Sequence, residues 1–532
     1  MSPEGVLMIE ARGVPPPEEL RLRAGGKGYN LLKLSALGFP VPPGFVLPTT
    51  MCKRWLQSTK PTLGEFRSAY EGTLERLERA SGLRFGDYRR PLLVSVRSGG
   101  PVSMPGMLDT ILNVGLSQSA IPGVVALTGN PHLAWDCYRR LIEAYAQSVH
   151  GADPGPFAAA IRDALASAKA NSLAELDTIA LRDLAEQTTQ VFLKTTGIHF
   201  PEDAYAQLLN AIDAVFRSWN SERAKYYRQM NSLSDEPGTA VIVQSMVFGN
   251  AGAGSGAGVG FTRNPATGEK RLYIDFAFDA QGEDVVSGRQ RVGTDAELRT
   301  RLPDVAASLD EMASRLERVF GYAQDFEFTV AEGRLNLLQT RDAKCSDWAQ
   351  LNIAADLVDE GVLSPSDALH RLENLNPEKI VRTRVVDAAG KAAAKGIPAS
   401  IGVATGAIAF TAEAARAAAN SGRDCILVRD DISTEDVSGI AAATGVLTAR
   451  GGRTSHAAVV ARELGKTAIV GCRELRINPE DKSCTVGETA LSEGSTITLD
   501  GETGSIYLGP VKVVAEMPDA ALRRWRSWTK AR

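Results

Sequence analysis

The feature that most constrains this chain is a change of pattern part-way along it. From about residue 118 to 230 apolar residues recur at helical spacing, as in Phe157 to Leu165 and Leu208 to Phe216. From Gly396 the texture becomes short apolar strands and turns: Gly402 to Phe410, Cys425 to Arg429, Gly445 to Thr448, Ile497 to Asp500. Between the two lies Ala388 to Lys395, rich in alanine, glycine and lysine, which reads as a hinge or linker. At 532 residues the chain has room for about three domains. The expected fold class is α/β and α+β, multidomain. The expected bounds are a first domain over 1–345, a helical connector and hinge over 346–395, a compact α/β domain over 396–512 and a basic tail over 513–532. The tail carries Trp525 and Trp528 and reads either as a packed helix or as the stub of a further connection.

Composition excludes several classes. Apolar residues make up 44%, enough for full globular cores. The net charge of −4 gives no electrostatic case for nucleic acid or an anionic membrane. The six cysteines are scattered, with no C-x-x-C pair, so neither a zinc ribbon nor a redox motif is supported and a reduced cytoplasmic setting is the simplest reading. Met1 to Glu10 has two acids and no base, unlike a signal peptide. The uncharged run from Pro237 to Thr262 contains Gln244, Ser245, Asn250 and many glycines, and reads as strand then loop rather than as a membrane span.

In the first domain, Gly25-Gly-Lys-Gly28 leads into a helix over Tyr29 to Leu37, closed by Gly38-Phe-Pro-Val-Pro-Pro-Gly44. Pro91 to Arg97 and Thr239 to Phe248 read as strands. Gly249 to Gly258 reads as a glycine loop. Arg271 to Phe278, Asp325 to Val330 and Leu335 to Gln339 are further strands, with Gly333 turning the last two into a hairpin. Ala349 to Leu375 is expected to be one amphipathic helical stretch, and Asn376 to Arg384 a connector.

The chemistry-bearing stretch is Thr448-Ala-Arg-Gly-Gly-Arg-Thr-Ser-His456-Ala-Ala-Val-Val-Ala-Arg462. Gly451 and Gly452 let backbone approach a phosphate. Thr454 and Ser455 can cap the following helix and donate hydrogen bonds. Arg450, Arg453 and Arg462 can offset charge. A single histidine at a helix start is usually structural. Of the five histidines, however, only His456 has glycines, hydroxyls and arginines around it, and no second histidine stands at zinc-ligand spacing. A neutral imidazole is a nucleophile near pH 7.

Three other places suit phosphate or metal. Lys27 stands among glycines at a helix entrance, with backbone amides that could cradle phosphates, although the spacing is not that of a Walker A loop. Arg97 ends an apolar strand beside Ser98-Gly-Gly. Asp325 and Glu327 share one strand face, with Phe326 and Phe328 on the other, and paired carboxylates suit Mg²⁺ bridging nucleotide phosphates.

The His456 stretch resembles the phosphohistidine motif of the phosphoenolpyruvate-utilising enzymes, above all pyruvate phosphate dikinase, with Arg453 as in enzyme I of the sugar phosphotransferase system. Pro91 to Gly99, Val102-Ser-Met-Pro-Gly-Met107, Gln244 to Asn250, Gly260-Phe-Thr-Arg-Asn-Pro-Ala-Thr-Gly-Glu269 and Ala280 to Val286 resemble the nucleotide domain of the same family. The likeness runs from about Gly25 to Pro510. It implies an ATP-grasp nucleotide domain and a swivelling phosphohistidine domain. It implies nucleotide binding by Lys27, Arg97, Arg139, Glu283, Gln339 and Arg341, and metal binding by Asp325 and Glu327. It further implies catalysis by His456, supported by Gly451, Gly452, Arg453, Thr454 and Ser455. Thr454 matches a position that some dikinases phosphorylate, and a helix cap is the simpler role.

The implied chemistry is pyrophosphorylation of His456 by ATP, with AMP released, then removal of the outer phosphoryl by inorganic phosphate as pyrophosphate. The phosphoryl would pass to pyruvate, giving phosphoenolpyruvate. The family's pyruvate-binding barrel would follow where this chain stops, so the expectation is a short form paired with a barrel protein in trans; the reading also allows a homodimer. Two other readings stay open: a phosphotransferase to another small-molecule or protein acceptor, and a non-catalytic nucleotide-binding regulator.

Overall fold

The computed structural model describes residues 5–11, 13–102, 104, 107–286, 293, 295–387, 391–432, 436–453, 455–478 and 481–530. Packing divides the chain into two compact units, Met1–Ser255 with Val330–Thr340, and Gly256–Thr329 with Arg341–Arg532. The modules expected along the chain, bounded at 345, 395 and 512, are a separate division from this one.

The first unit is built on a five-stranded antiparallel sheet, in the order Leu7–Ile9, Gly44–Leu47, Ala240–Ser245, Val94–Gly99, Thr110–Val114. Strand alternation sends Val46, Ala240 and Ile242 to one face, under Ala24, Leu31 and Leu32 of the helix Leu20–Ala36. Phe45, Leu47, Val241 and Val243 go to the other face and join a large helical core with Leu141, Ile142, Phe192 and Phe216. The helices Pro131–His150, Thr178–Thr196 and Ala204–Ser218 are capped by Asn130, Asp177 and Asp203, and the first two end on left-handed glycines, Gly151 and Gly197. The expected helical span over 118–230 is thus present as several capped helices.

The second unit contains the strands Tyr273–Phe278, Gly256–Phe261 and most of Gln324–Ala331, neighbours in that order in one sheet. Its second strand corrects the sequence reading, because the glycine loop ends early and Gly256–Phe261 is strand. Gly256, Gly258 and Gly260 alternate beneath the rings of Phe276, Phe328 and Phe326, so the glycines make room for aromatic packing. The stretch after 346 is also not one helix. Gly361 adopts φ 70° after Asp347–Asp359, and Ser364 caps a new helix, Pro365–Arg371.

Beyond it, Arg382–Asp387 pairs antiparallel with Lys512–Glu516. Part of the expected connector is therefore one strand of a ribbon. Within the expected hinge, residues 388–390 lie outside the described residues, and Ala394–Lys395 is already a strand paired with Ser505 and Ile506.

The eight-stranded sheet that follows has a parallel centre, Val403–Ala409, Cys425–Arg429, Gly445–Thr448 and Thr467–Val470, flanked by antiparallel strands. Ala415, Ile440, Ala458 and Ala461, from three helices, pack on Leu427, Val446 and Ala468. The tail resolves as helix Asp519–Lys530. Ala521 and Leu522 are buried with Leu351, Ala354 and Leu372, Trp525 and Trp528 pack against them, and Arg524 binds Asp356 at 2.9 Å.

All six cysteines are free thiols. Among the described residues no helix is long and apolar enough to cross a membrane.

Candidate functional site

In the first unit, Gly25 interrupts the Leu20–Ala36 helix with φ 68° and ψ 160°. A Cβ there would lie 1.8 Å from the Gly99 carbonyl oxygen, so only glycine fits. The Gly26 N–H donates to the Gly100 carbonyl at 3.0 Å. That amide is thus engaged by backbone, which corrects the reading of the whole Gly25–Gly28 stretch as a phosphate cradle. Lys27 follows it, half-buried. Arg97 is buried on the Val94–Gly99 strand, its guanidinium donating to the Gln244 side-chain oxygen and, at 3.4 and 3.5 Å, to the Leu338 carbonyl. Gln244 is oriented in turn by donating to the Pro42 carbonyl at 2.8 Å. Neighbouring Gln339 has a buried side-chain Oε1 with no hydrogen-bond partner among the described residues. A buried carbonyl left so is costly, and a ligand N–H or O–H would satisfy it.

Arg139 lies elsewhere in this unit, on the Pro131–His150 helix. It is buried and ion-paired to Asp136 and Glu143, both at 2.7 Å. Arg140 binds the other Asp136 oxygen at 2.6 Å. Burial opposes the Asp136 charge, and the two arginines override it, holding the carboxyl down to about 2.

In the second unit, Asp325 is buried and Glu327 half-buried on the Gln324–Ala331 strand, facing away from the Phe326 and Phe328 rings. Burial pushes the Asp325 carboxyl up, and Arg341 only partly offsets this. Nε and Nη2 of Arg341 each bind Asp325 Oδ2 at 2.7 Å. Gly282–Val286 is a short helix, and the Glu283 side chain is outside the described residues.

The same unit contains the His456 segment. Gly451 takes φ 101°, and a Cβ on it would meet Ser455 Oγ at 3.0 Å. Gly452 O accepts from the Ser455 N–H at 3.1 Å. Ser455 caps the helix His456–Glu463, its side chain accepting from the Ala458 N–H. His456 is therefore the first residue of that helix, where backbone N–H groups lack partners within the helix. Thr454 and the His456 side chain lie outside what is described.

Two arginines tie this segment to the carboxylate-bearing sheet. Arg453 stacks on the Tyr273 ring at 4.2 Å, and Tyr273 donates to the Pro398 carbonyl at 2.6 Å. Arg462, 3% exposed, donates from Nη1 to the carbonyls of Ala399 at 2.9 Å and Arg453 at 3.0 Å, with Phe261 beneath it. Burial lowers its pKa, against the pull of Tyr273, Cys345, Asp325 and Asp275.

Sequence reasoning gave Arg462 only a general charge-offsetting role and missed Gln244 and Tyr273. Gln244 was legible as a polar residue inside an apolar strand. Nothing local marked Tyr273.

Residues 62–298 match the family model described as the AMP/ATP-binding domain of pyruvate phosphate dikinase, and residues 422–504 that of the mobile domain of the PEP-utilising enzymes. The chain is similar to pyruvate, phosphate dikinase of Clostridium symbiosum, at 42% identity over 514 residues, covering 96% of this chain and 59% of that protein. It is similar to pyruvate, phosphate dikinase 1, chloroplastic, of Arabidopsis thaliana, at 40% identity over 95% of this chain and 53% of that protein. The pyruvate, phosphate dikinase of Rhizobium meliloti (strain 1021) is 38% identical over 96% of this chain and 59% of its own length. The chain thus spans between half and three-fifths of the length of these curated relatives.

Proposed function

Because the chain belongs to the pyruvate phosphate dikinase family, we propose that it carries out the ATP- and phosphate-dependent half-reaction of such an enzyme, on His456. The observation that carries the proposal is the build of the His456 segment. The Gly451 turn and the Ser455 cap set the histidine at a helix N-terminus, in the same compact unit as Asp325 and Glu327. A helix start favours anionic groups through its dipole and its unpaired N–H groups.

In this reading Lys27 and Arg97 hold phosphate oxygens. Gln339 and Arg341 serve the nucleotide, together with Glu283. Arg139, already paired with Asp136 and Glu143, helps indirectly by holding its helix. Asp325 and Glu327 fit a magnesium ion. They are two carboxylates on one face, one buried at a cost to its charge, and Mg²⁺ commonly takes one or two carboxylates together with substrate phosphates. When bound it would neutralise phosphate charge, which is most of what phosphoryl transfer asks of a site.

The neutral His456 imidazole attacks the β-phosphorus of ATP. The bond to the oxygen shared with the α-phosphate breaks, and AMP leaves. Inorganic phosphate takes the outer phosphoryl as pyrophosphate, and phosphohistidine remains. The 396–512 domain then swings, with the Arg382–Asp387 and Lys512–Glu516 ribbon as its pivot. We propose pyruvate as the acceptor to which the phosphoryl then passes.

The test measures AMP, ADP and acid-labile protein-bound phosphate after ATP, Mg²⁺ and inorganic phosphate are added, for wild type and His456→Asn. The proposal expects about one phosphohistidine per chain with AMP as product, and neither in the variant. ADP as the sole product contradicts it. Adding a pyruvate-binding barrel protein should make turnover pyruvate-dependent, and no turnover would overturn the acceptor assignment alone.

A further inference from the structure

Arg462 presents an unusual combination. It is one of the most buried cations of the second unit, yet only Nη1 of its guanidinium is bonded, to the carbonyls of Ala399 and Arg453. Nε and Nη2 have no hydrogen-bond partner among the described residues. These two atoms form a single edge of the guanidinium, with parallel N–H bonds spaced to grip two oxygens of one anion. Asp325, whose Oδ2 is bound by both Nε and Nη2 of Arg341, makes no hydrogen bond to this edge. Its charge still acts on Arg462, as does that of Asp275. Burying an arginine with one whole edge unmet is costly, and a fold that needed only a spacer would be served by methionine.

We propose that the Nε–Nη2 edge of Arg462 is a phosphate-oxygen site, filled in the loaded protein by two oxygens of a phosphoryl group while Nη1 keeps the His456 helix registered on Ala399. Arg462 is six residues beyond His456 on the same short helix and lies over Phe261, on the strand that pairs with Tyr273–Phe278. The proposal rests on the phosphotransfer reading above for the identity of the anion, but not for its existence. The anion has two sources, the polyphosphate chain of a nucleotide or the phosphoryl carried on His456.

The experiment compares wild type, Arg462→Met and Arg462→Lys, each with and without His456→Ala. Magnesium tripolyphosphate is the probe and the thermal midpoint the readout. A second readout is the half-life of phosphohistidine after ATP is removed. Arg462→Met without probe should hold its midpoint or gain, because a half-satisfied buried charge is removed. Loss of at least half of the wild-type stabilisation by tripolyphosphate in Arg462→Met, in both His456 backgrounds, assigns the site to the nucleotide chain. An intact tripolyphosphate response with a phosphohistidine lifetime shortened on the order of tenfold assigns it to the phosphoryl on His456. Arg462→Lys, which keeps the charge without the fork, should fall between wild type and Arg462→Met.

Wild-type values for both readouts in Arg462→Met would overturn the proposal. So would loss of cooperative unfolding in both Arg462 variants without any probe, since that marks a purely structural arginine. If wild type forms no phosphohistidine but the tripolyphosphate response still depends on Arg462, the site stands and the phosphotransfer reading falls. If wild type forms it and Arg462→Met matches wild type throughout, only the site falls.

Discussion

Gly258→Ala should destabilise the second unit by about 1–2 kcal/mol, for a reason that can be read off one strand. A Cβ at residue 258 would sit 2.5 Å from Phe328 Cζ and 3.0 Å from the Asp275 carbonyl oxygen, while ordinary contact begins at 3.4 Å. The shortfall against the ring is about 0.9 Å. Phe328 cannot simply retreat, because it is 1% exposed and stacked on Phe276 with centroids 5.7 Å apart. Overpacking of this size costs about 1–3 kcal/mol, and the lower chain entropy of alanine returns roughly 0.5–1 kcal/mol. Because the chain has two units, the cost should be read locally, by hydrogen exchange of peptides spanning 256–278 in increasing urea. Phe328→Leu should relieve the clash, so the double variant should fall short of additivity by about 1 kcal/mol. A Gly258→Ala protein within about 0.3 kcal/mol of wild type, or strict additivity with Phe328→Leu, would refute the argument that these glycines exist to seat the rings.

Other outcomes follow from the same packing and charge arguments. Arg263 is fully buried and bridges the buried Glu317 and the outer Glu360 at 2.9 Å, so Arg263→Ala strands the Glu317 carboxylate and should cost about 3–5 kcal/mol in local stability by the same exchange assay. Asp136, held at about 2 when folded against 3.8 when free, contributes stability that is complete above about pH 4 and drains away as pH falls toward 2. Acid titration of Asp136→Asn should show a flatter stability slope over that window. Ser455→Ala removes the cap at His456 and should cost about 0.5–2 kcal/mol, seen as faster exchange in 456–463 while the sheet beneath is unchanged. Asp325→Asn should raise the Mg²⁺ concentration needed for half-maximal AMP formation, and an unchanged Mg²⁺ titration would remove Asp325 from the metal assignment.

Much of this architecture was legible because local chemistry and tertiary position agree. Val403–Ala409, Cys425–Arg429 and Gly445–Thr448 are apolar runs that become buried parallel strands, and Gly333 turns a hairpin as its flanking strands require. The reading failed where an element's reason lay far off in sequence. Gly256, Gly258 and Gly260 look like a loop until the rings of Phe276, Phe326 and Phe328 are placed against them. Arg382–Asp387 looks like a connector because its partner strand, Lys512–Glu516, is more than a hundred residues away. The helix break at Gly361 was local and readable, and the amphipathic pattern running across it hid it. At the candidate site the residue types were visible, but their engagements were not. The Gly26 amide is spent on Gly100, and Arg139 on Asp136 and Glu143. The unmet edge of Arg462 is visible only once the carbonyls of Ala399 and Arg453 are placed against Nη1.

The central claim is that His456 takes the β-phosphoryl of ATP. It is tested most directly with ATP labelled separately at the β and γ positions, with Mg²⁺, before and after addition of inorganic phosphate. The account predicts that both labels enter the protein first, that phosphate removes the γ label as pyrophosphate, and that the β label stays as acid-labile phosphohistidine absent from His456→Ala. Label from the γ position alone, with ADP released, would contradict it.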